Sequence, residues 1–338
     1  MSGRKYKKTI PEYIVISVVT AVILSVVILL FRGCVIAKTS LSASDDNANK
    51  ESVESVDISV YMHRDERTET LDLEEYLVGV VAAEMPVSFE IEALKAQAVA
   101  ARTFTVRHME IFDGNACKKG EGEICTDSSC CQAYKSDEQL KENWDKSYEK
   151  NIDKVRDAVY STKGKIITYD GEAIEALYHS NSGGMTEAAV NVFSQSRPYL
   201  LSVNSPDVES SHYEESVEFS LKEFARKINS KWKDADISTK NVSKNIKILS
   251  RYESGRVEEI KLGGITVSGR DMRKLFELDS ANFKINFGAD KVKITTYGYG
   301  HGVGMSQYGA NAMAKNGSNY IEILTHYYSG TDIGIYKK

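Results

Sequence analysis

The sequence predicts an α+β fold: a two-lobed domain of antiparallel strands and helices around a substrate groove, behind one N-terminal transmembrane helix. Three observations support this prediction. Residues 13–31 form an uncharged apolar run long enough to cross a bilayer. From residue 56 onward, segments with strand alternation and segments with helical spacing occur in groups, not in a regular βαβ order. The 338 residues are enough for one large core or two modest ones.

The first 55 residues differ from the rest of the chain. Residues 1–12 are a basic tail, which the positive-inside rule places in the cytoplasm. Residues 13–31 then form a transmembrane helix that spans roughly 28 Å. Residues 41–43 faintly resemble a signal-peptide cleavage site, but the apolar run exceeds the ~7 to 15 residues usual for a signal peptide, so an uncleaved anchor is favoured. Residues 32–55 have the polar composition of a flexible linker, and residues 56–338 are predicted to be an extracytoplasmic domain.

The predicted outer domain is acidic. The chain has a formal charge of −5, and its first 37 residues carry five basic side chains against Glu12, or +4, which leaves −9 for the remainder. Affinity for nucleic acid comes from basic clusters that contact phosphates. No basic stripe interleaved with aromatic residues is present, so the composition argues against a nucleic-acid partner.

The outer domain is predicted to open with a hairpin of residues 56–62 and 68–73, which alternate around a charged turn. Residues 73–83 then have helical spacing, and Pro86 ends that helix. A longer helix follows over 90–112, with Ser88 as its expected N-cap.

A helical region is predicted over residues 137–162, and a hairpin over 165–169 and 172–178 turns at Asp170-Gly171. The remaining elements are assigned from periodicity alone. Further strands are expected at 246–252, 257–262, 283–287 and 292–296. Short helices are expected at 221–228, 270–278, 309–315 and 320–328.

Glu84 is the first candidate functional residue. It closes the run LVGVVAAEMP, so an isolated carboxyl group follows Val, Ala and Gly and is sealed off by Met85 and Pro86. Helical spacing indicates that Glu84 emerges beside a core. A carboxyl group held in such surroundings resists ionisation, and its pKa rises.

Two glycine-containing segments are the next candidates: residues 178–184, YHSNSGG, and residues 297–309, YGYGHGVGMSQYG. Glycine lets backbone approach a ligand closely, although such a segment taken alone is more often a turn. The second segment lacks the Lys-Ser/Thr ending of a phosphate-binding loop and the spacing of a dinucleotide fingerprint. The chain also lacks the HExxH motif of zinc proteases and the GxSxG motif of serine hydrolases.

The cysteines allow two interpretations. Cys117, Cys125, Cys130 and Cys131 lie within fifteen residues of one another, while Cys34 is isolated. Outside the cytosol, one or two disulfides are the ordinary expectation. Four thiolates could instead form a tetrahedral site for structural zinc, with no open position for catalysis. The spacing is not a pair of C-x-x-C motifs and leaves both interpretations open.

Several of these segments together resemble one family. They are VVAAEMP, EALKAQAVAARTF, CQAY, YHSNSGGMTE, PYLLSV, GYGHGVGMSQYGANAMA and ILTHYYSGT. In combination they are similar to the stage II sporulation protein D family over about residues 56–330. The resemblance implies a membrane-anchored lytic transglycosylase that cuts peptidoglycan glycan strands during engulfment of the forespore, from the mother-cell membrane facing the intermembrane space. It also implies two partners, an amidase/endopeptidase and a membrane scaffold.

The resemblance places the catalytic acid on Glu84 and suggests a zinc site at the cysteine segment, since some members hold zinc there with His and Cys. One departure is Phe193, which stands where the family pattern usually has Trp. The residues expected to line the groove and contact sugar are Lys95, Gln97, Arg102, Tyr134, His179, Ser182, His301 and Gln307, with Lys95 or Arg102 facing a lactyl carboxylate. Amidase enhancers share much of the pattern, so a non-catalytic module that binds peptidoglycan and activates an amidase is the alternative.

Overall fold

The computed structural model of the chain describes residue 54 and residues 56–193, 195–208, 210 and 213–337. These residues belong to one compact unit of mixed α and β structure, which confirms the predicted α+β class. The helices are α1 (Leu73–Glu84), α2 (Ile91–Val106), α3 (Asp137–Trp144), α4 (Tyr148–Tyr160), α5 (Ala189–Phe193), α6 (Leu221–Lys231), α7 (Val242–Asn245), α8 (Gly269–Phe276), α9 (Gln307–Lys315) and α10 (Tyr320–Tyr327).

The strands are short and form five small sheets. They are β1 (Asp57–Met62), β2 (Arg67–Asp72), β3 (Ile124–Cys125), β4 (Lys165–Tyr169), β5 (Glu172–Ala173), β6 (Tyr178–His179), β7 (Glu214–Ser220), β8 (Ile246–Arg251), β9 (Val257–Leu262), β10 (Ile265–Ser268), β11 (Phe283–Phe287), β12 (Lys291–Tyr297), β13 (Met305–Ser306) and β14 (Asp332–Ile335). Most pairs are antiparallel, as predicted, but β1 pairs with β3 and β6 pairs with β13 in parallel.

Helix α2 lies at the centre of the first hydrophobic core. Five of its 16 residues are alanines, whose small side chains allow close packing, and α1, α4, α9, α10 and strand β4 all pack against it. Alanine also has the highest helix propensity, which favours a helix at this position. Four polar side chains of α2 are fully buried, Thr103 and Thr105 among them, and the two largest are Gln97 and Arg102. Buried polar groups need partners, and the partners of these two residues decide their roles.

Strands β7 to β12 and helices α6 to α8 form a module with its own hydrophobic core, centred on Phe224, Phe276 and Phe283. In the chain this module is inserted between β6 and β13. The parallel pairing of Tyr178 with Met305 and of His179 with Ser306 brings the two glycine-containing segments together across the insertion.

Most predicted elements are confirmed within a few residues, including the first hairpin, helix α1 and the hairpin at Asp170-Gly171, whose two residues have φ values of 51° and 85°. Three details differ. Helix α2 ends at Val106, and its N-cap is Glu90 instead of Ser88. The predicted strand 172–178 is split into β5 and β6, because β5 pairs with β4 whereas Tyr178 in β6 pairs with Met305.

The predicted transmembrane helix, residues 13–31, lies outside the described residues, as do the basic tail and nearly all of the linker. In the part of the chain that the structure describes, no helix combines the length and the apolar character needed to cross a bilayer.

Candidate active site

Glu84 is the last residue of α1 and is half-buried at the edge of the first core. Val80 and Val81 before it and Met85 after it are buried, whereas Pro86 is exposed. One carboxyl oxygen accepts a hydrogen bond of 2.7 Å from the backbone N–H of Ala133. Burial raises the pKa of Glu84 more than its hydrogen bonds lower it. The neutral acid is therefore favoured beyond the ordinary range of a glutamate.

Two glutamines form a polar link beside this carboxyl group. The Nε2 group of Gln307 lies 3.4 Å from the second Glu84 oxygen and 3.4 Å from Oε1 of Gln97. Gln97 is completely buried and Gln307 nearly so. Gln307 is the first residue of α9, whose N-cap is Ser306. Both glutamines were predicted site residues, and the structure places Gln307 beside Glu84 and Gln97 against Gln307.

The two residues before Tyr134, Gln132 and Ala133, belong to the hydrogen-bond network around the Glu84 carboxyl group. The Tyr178 hydroxyl donates to Oε1 of Gln132 at 2.8 Å, and Gln132 donates to Thr105 at 3.0 Å. These bonds fix the backbone at Ala133, the donor to Glu84. Tyr178 also lowers the pKa of Glu84, although burial outweighs this effect. Tyr178, Gln132 and Ala133 were not among the predicted site residues, although Tyr178 lies in the YHSNSGG segment.

Glu84 opens into a cavity of about 380 Å³ that Gln307, Tyr308 and Trp144 help to line. A larger cavity of about 880 Å³ shares Ala83 and Lys135 with it. The two cavities are therefore contiguous and form a groove that passes Glu84. Tyr134 lines the larger cavity and stacks on Tyr76 with a 5.5 Å centroid distance. The groove has the size and the polar lining of a site for an extended polar ligand.

Asp207 joins the two glycine-containing segments and was not found by sequence reasoning. Its buried carboxylate accepts hydrogen bonds from the backbone N–H and the hydroxyl of Ser182, both at 2.7 Å, from Gly184 at 2.9 Å and from Ser205 at 3.0 Å. It also accepts a 2.6 Å bond from Ser306, the N-cap that precedes Gln307. Asp207 thus positions the start of α9. The sequence signal is a lone Asp after a serine-rich stretch, which has no helical or strand periodicity to reveal it.

Arg102 does not reach the groove, which corrects the expectation that it contacts substrate. Its guanidinium group is fully buried and donates to Glu74 from Nε at 3.0 Å and from Nη2 at 2.5 Å. Further bonds go to the carbonyl groups of Val159 and Lys165. The helix face that carries Arg102 is covered by α4 and β4. A ligand cannot reach this group without unfolding the core.

Lys95 is also engaged within the protein. Its ammonium group forms a 2.9 Å ion pair with Glu92, and it does not line the groove cavities. Ser182 is buried and bound to Asp207, so its role is to hold the loop.

His179 and His301 lie together with a 5.5 Å centroid distance, but neither lines the cavities around Glu84. Nδ1 of His179 donates to the carbonyl of Val303 at 3.2 Å, and burial holds the pKa of this histidine well below its usual value. Nδ1 of His301 accepts from the Val303 N–H, and burial lowers the pKa of His301 to about 4. Both rings are therefore neutral at physiological pH and do not act as acids near Glu84.

The four cysteines Cys117, Cys125, Cys130 and Cys131 converge, with all sulfur atoms within 4.8 Å of one another. Within the described residues they are free thiols. A tetrahedral zinc site with Zn–S bonds of about 2.3 Å requires sulfur separations of roughly 3.8 Å. The separations of Cys117 and Cys131 from Cys130 are 3.4 and 3.9 Å. The cluster can therefore bind a metal ion, and its last member is two residues from Ala133.

Sequence comparison places the chain among known proteins. The family model described as SpoIID, Stage II sporulation protein, matches residues 35–169. The chain is 41% identical over 299 residues to stage II sporulation protein D of Bacillus subtilis (strain 168), covering 88% of this chain and 84% of that protein. It is 42% identical over 279 residues to stage II sporulation protein D of Bacillus amyloliquefaciens, covering 82% and 78%. The amidase enhancer of B. subtilis (strain 168) is 29% identical over 308 residues, covering 77% of this chain and 40% of that protein.

Proposed function

Because the chain belongs to the stage II sporulation protein D family, we propose that it is a lytic transglycosylase that cleaves the MurNAc–GlcNAc linkages of peptidoglycan during sporulation. The observation that carries this proposal is the state of Glu84: a half-buried carboxyl group of raised pKa, facing a groove. Such a group holds a proton near neutral pH, as a general acid must.

In the first step Glu84 donates its proton to the glycosidic oxygen as the C1–O bond breaks. The C6 hydroxyl of the same muramic acid then attacks C1, and its proton returns to the Glu84 carboxylate. The product is a 1,6-anhydro sugar, and the enzyme regains its starting protonation state. One carboxyl group is sufficient for this sequence because no water molecule has to be activated.

The surroundings of Glu84 fit a one-carboxyl mechanism. Among the described residues that line its cavity, Glu84 is the sole carboxylate, and no other described carboxylate contributes to its raised pKa. A hydrolase that inverts or retains configuration needs a second carboxylate roughly 5–10 Å away. Gln97 and Gln307 form the polar link beside Glu84 instead. The Gln307 amide lines the cavity and can hydrogen-bond acetamido groups and hydroxyls without ionising, while buried Gln97 positions Gln307.

The membrane placement is part of the same proposal. Residues 13–31 would anchor the enzyme in the mother-cell membrane with the catalytic domain facing the intermembrane space. The amidase/endopeptidase and the membrane scaffold of the engulfment machinery would be its partners. Structural zinc at the four-cysteine cluster would hold the backbone that presents the Ala133 N–H to Glu84. Zinc would have no chemical role in bond cleavage, because four thiolates fill its coordination sphere.

Mass spectrometry of products from peptide-stripped glycan tests the proposal. The wild-type chain should release peptide-free saccharides, and each should be lighter by one water molecule than the corresponding hydrolysis product. Glu84→Gln should reduce that release by about 10²–10⁴-fold, the usual contribution of a general acid. Glu75→Gln, an exposed position on the same helix, is the matched control and should retain activity. Unchanged release by Glu84→Gln would remove the acid role.

A second candidate function is a non-catalytic module that binds peptidoglycan and activates an amidase. The similarity to an amidase enhancer favours it. The same variants separate the two functions: an activating module would stimulate a purified amidase equally well with Glu84→Gln, and would release no anhydro sugar by itself.

A further inference from the structure

A second cleft lies on the inserted module, away from the cavities that contain Glu84. Its volume is about 440 Å³, and helix α8 forms one wall with Arg270, Arg273 and Lys274. Tyr299, from the glycine-containing segment 297–309, also lines this cleft. Arg270 and Arg273 line a small adjoining cavity together with His301. None of these residues takes part in the proposed chemistry at Glu84.

Three cations share one face of α8. Arg270, Arg273 and Lys274 have the i, i+3, i+4 spacing that aligns side chains on a helix. Arg270 and Lys274 are exposed, and Arg273 is half-buried with its Nε donating to the carbonyl of Leu278 at 3.1 Å. Glu277 and Asp279 also line the cleft and offset part of this charge. An excess of cations in a cleft is nevertheless unusual on this domain. Its formal charge is −7, obtained from −5 for the chain less +4 for residues 1–37 and less −2 for residues 38–55.

One exposed aromatic ring lines this cleft, and a second contacts a residue of the adjoining cavity. Tyr299 is 48% exposed, yet its backbone is fixed by two hydrogen bonds with Asn181, at 2.8 and 3.0 Å. Phe193 is 47% exposed and packs edge-on against His301 at 5.9 Å between centroids. His301 connects Phe193 to the cavity that Arg270 and Arg273 line. Exposed aromatic rings beside arginines are typical of binding sites, because they provide a large contact area.

We propose that this second cleft binds a carboxylate-bearing saccharide and gives the enzyme a contact with its glycan separate from the Glu84 groove. This inference rests on the proposed function, which makes glycan the substrate. Arginine guanidinium groups match the geometry of a carboxylate and can bind it through two hydrogen bonds. An aromatic ring matches the apolar face of a sugar ring. A muramic acid unit offers both features, since its lactyl carboxylate projects from a sugar. An acidic peptide would supply the carboxylate without the sugar face that the two exposed rings favour.

The test is a binding measurement on the full chain with Glu84→Gln, so that no turnover occurs. The ligands are peptide-stripped glycan, chitooligosaccharide of the same length without carboxylates, and free stem peptide. The variant Arg270→Gln/Lys274→Gln should weaken binding of peptide-stripped glycan about tenfold, as expected for the loss of two charge contacts. Its affinity for chitooligosaccharide should be unchanged. Raising the salt concentration should reduce the difference between variant and parent.

Lys244→Gln/Lys247→Gln is the matched control, because it removes the same charge from exposed positions of the same module. It should bind glycan as the parent does. Equal glycan affinity of the Arg270/Lys274 variant and the parent would overturn the inference, as would a loss seen only with stem peptide. Anhydro-sugar release by the chain with Glu84 intact is measured in parallel, so that failure of the proposed function is recognised independently of failure of the cleft.

Discussion

Replacing Arg102 by methionine removes the cation from the centre of the first core. In the folded chain, Arg102 and Glu74 are both fully buried and share three hydrogen bonds between 2.5 and 3.2 Å. After Arg102→Met, the Glu74 carboxylate would keep the 3.3 Å bond from the Gly164 N–H. The carboxylate would then be a buried charge without a counter-ion.

The expected cost is about 3–5 kcal/mol of unfolding free energy, the usual effect of removing one partner of a buried ion pair. The double variant Glu74→Leu/Arg102→Met removes both charges and should recover most of this loss, because apolar pairs of similar volume often replace buried ion pairs at little cost. Lys95→Met on the same helix is the control. Its ion pair with Glu92 is partly exposed, with side chains 22% and 27% accessible, and should contribute below about 1 kcal/mol.

Urea unfolding of the purified variants measures these differences, and glycan binding by the same samples measures any direct role. Arg102→Met should lose stability while the double variant regains both stability and glycan affinity. The reasoning would be refuted if Arg102→Met lost less than about 1 kcal/mol and the double variant, although stable, failed to bind glycan. Arg102 would then contact the substrate, as the sequence alone had predicted.

Three further predictions concern the site. Burial raises the pKa of Glu84 above its ordinary value of 4.5, so ionising this group opposes folding. The wild type should therefore lose stability relative to Glu84→Gln as pH rises from 4.5 toward neutrality, which a pH titration of the unfolding free energy measures. A difference that stays constant with pH would contradict the burial argument. Asp207→Asn should destabilise the chain by about 2–4 kcal/mol, since a buried carboxylate that accepts several hydrogen bonds is lost. The fraction of this variant that remains folded should show a lower kcat for anhydro-sugar release. Asp234→Asn, at an exposed position, is the control and should change neither stability nor kcat. Cys125→Ser should abolish binding of one zinc ion per chain, which metal analysis and a free-thiol count measure together. It should also lower activity, because the cluster would no longer hold the backbone that presents the Ala133 N–H to Glu84. A disulfide would instead appear as two missing thiols in the wild type.

Long periodic segments were predictable because local spacing determines which face of an element is apolar. The first hairpin, α1 and strand β9 are examples, and Asp170-Gly171 was predictable because both residues tolerate positive φ. Two-residue strands such as β6 and β13 have no periodicity to read. Their pairing depends on residues that lie more than 120 positions apart in the chain, His179 and Ser306 among them.

The sequence by itself determined the α+β class, the order of most elements and the raised pKa expected of Glu84, because an isolated glutamate after an apolar helical run is a local pattern. The acid role came from the motifs that the chain shares with its family. Only the tertiary structure decided which polar residues meet that acid. Gln307, 223 positions away, reaches Glu84, while Arg102, eighteen positions away and equally plausible by type, is bound to Glu74 in the core. Helical spacing tells which residues share a face, but the partner that covers a face is set by long-range packing, and a buried cation binds the carboxylate that packing brings to it.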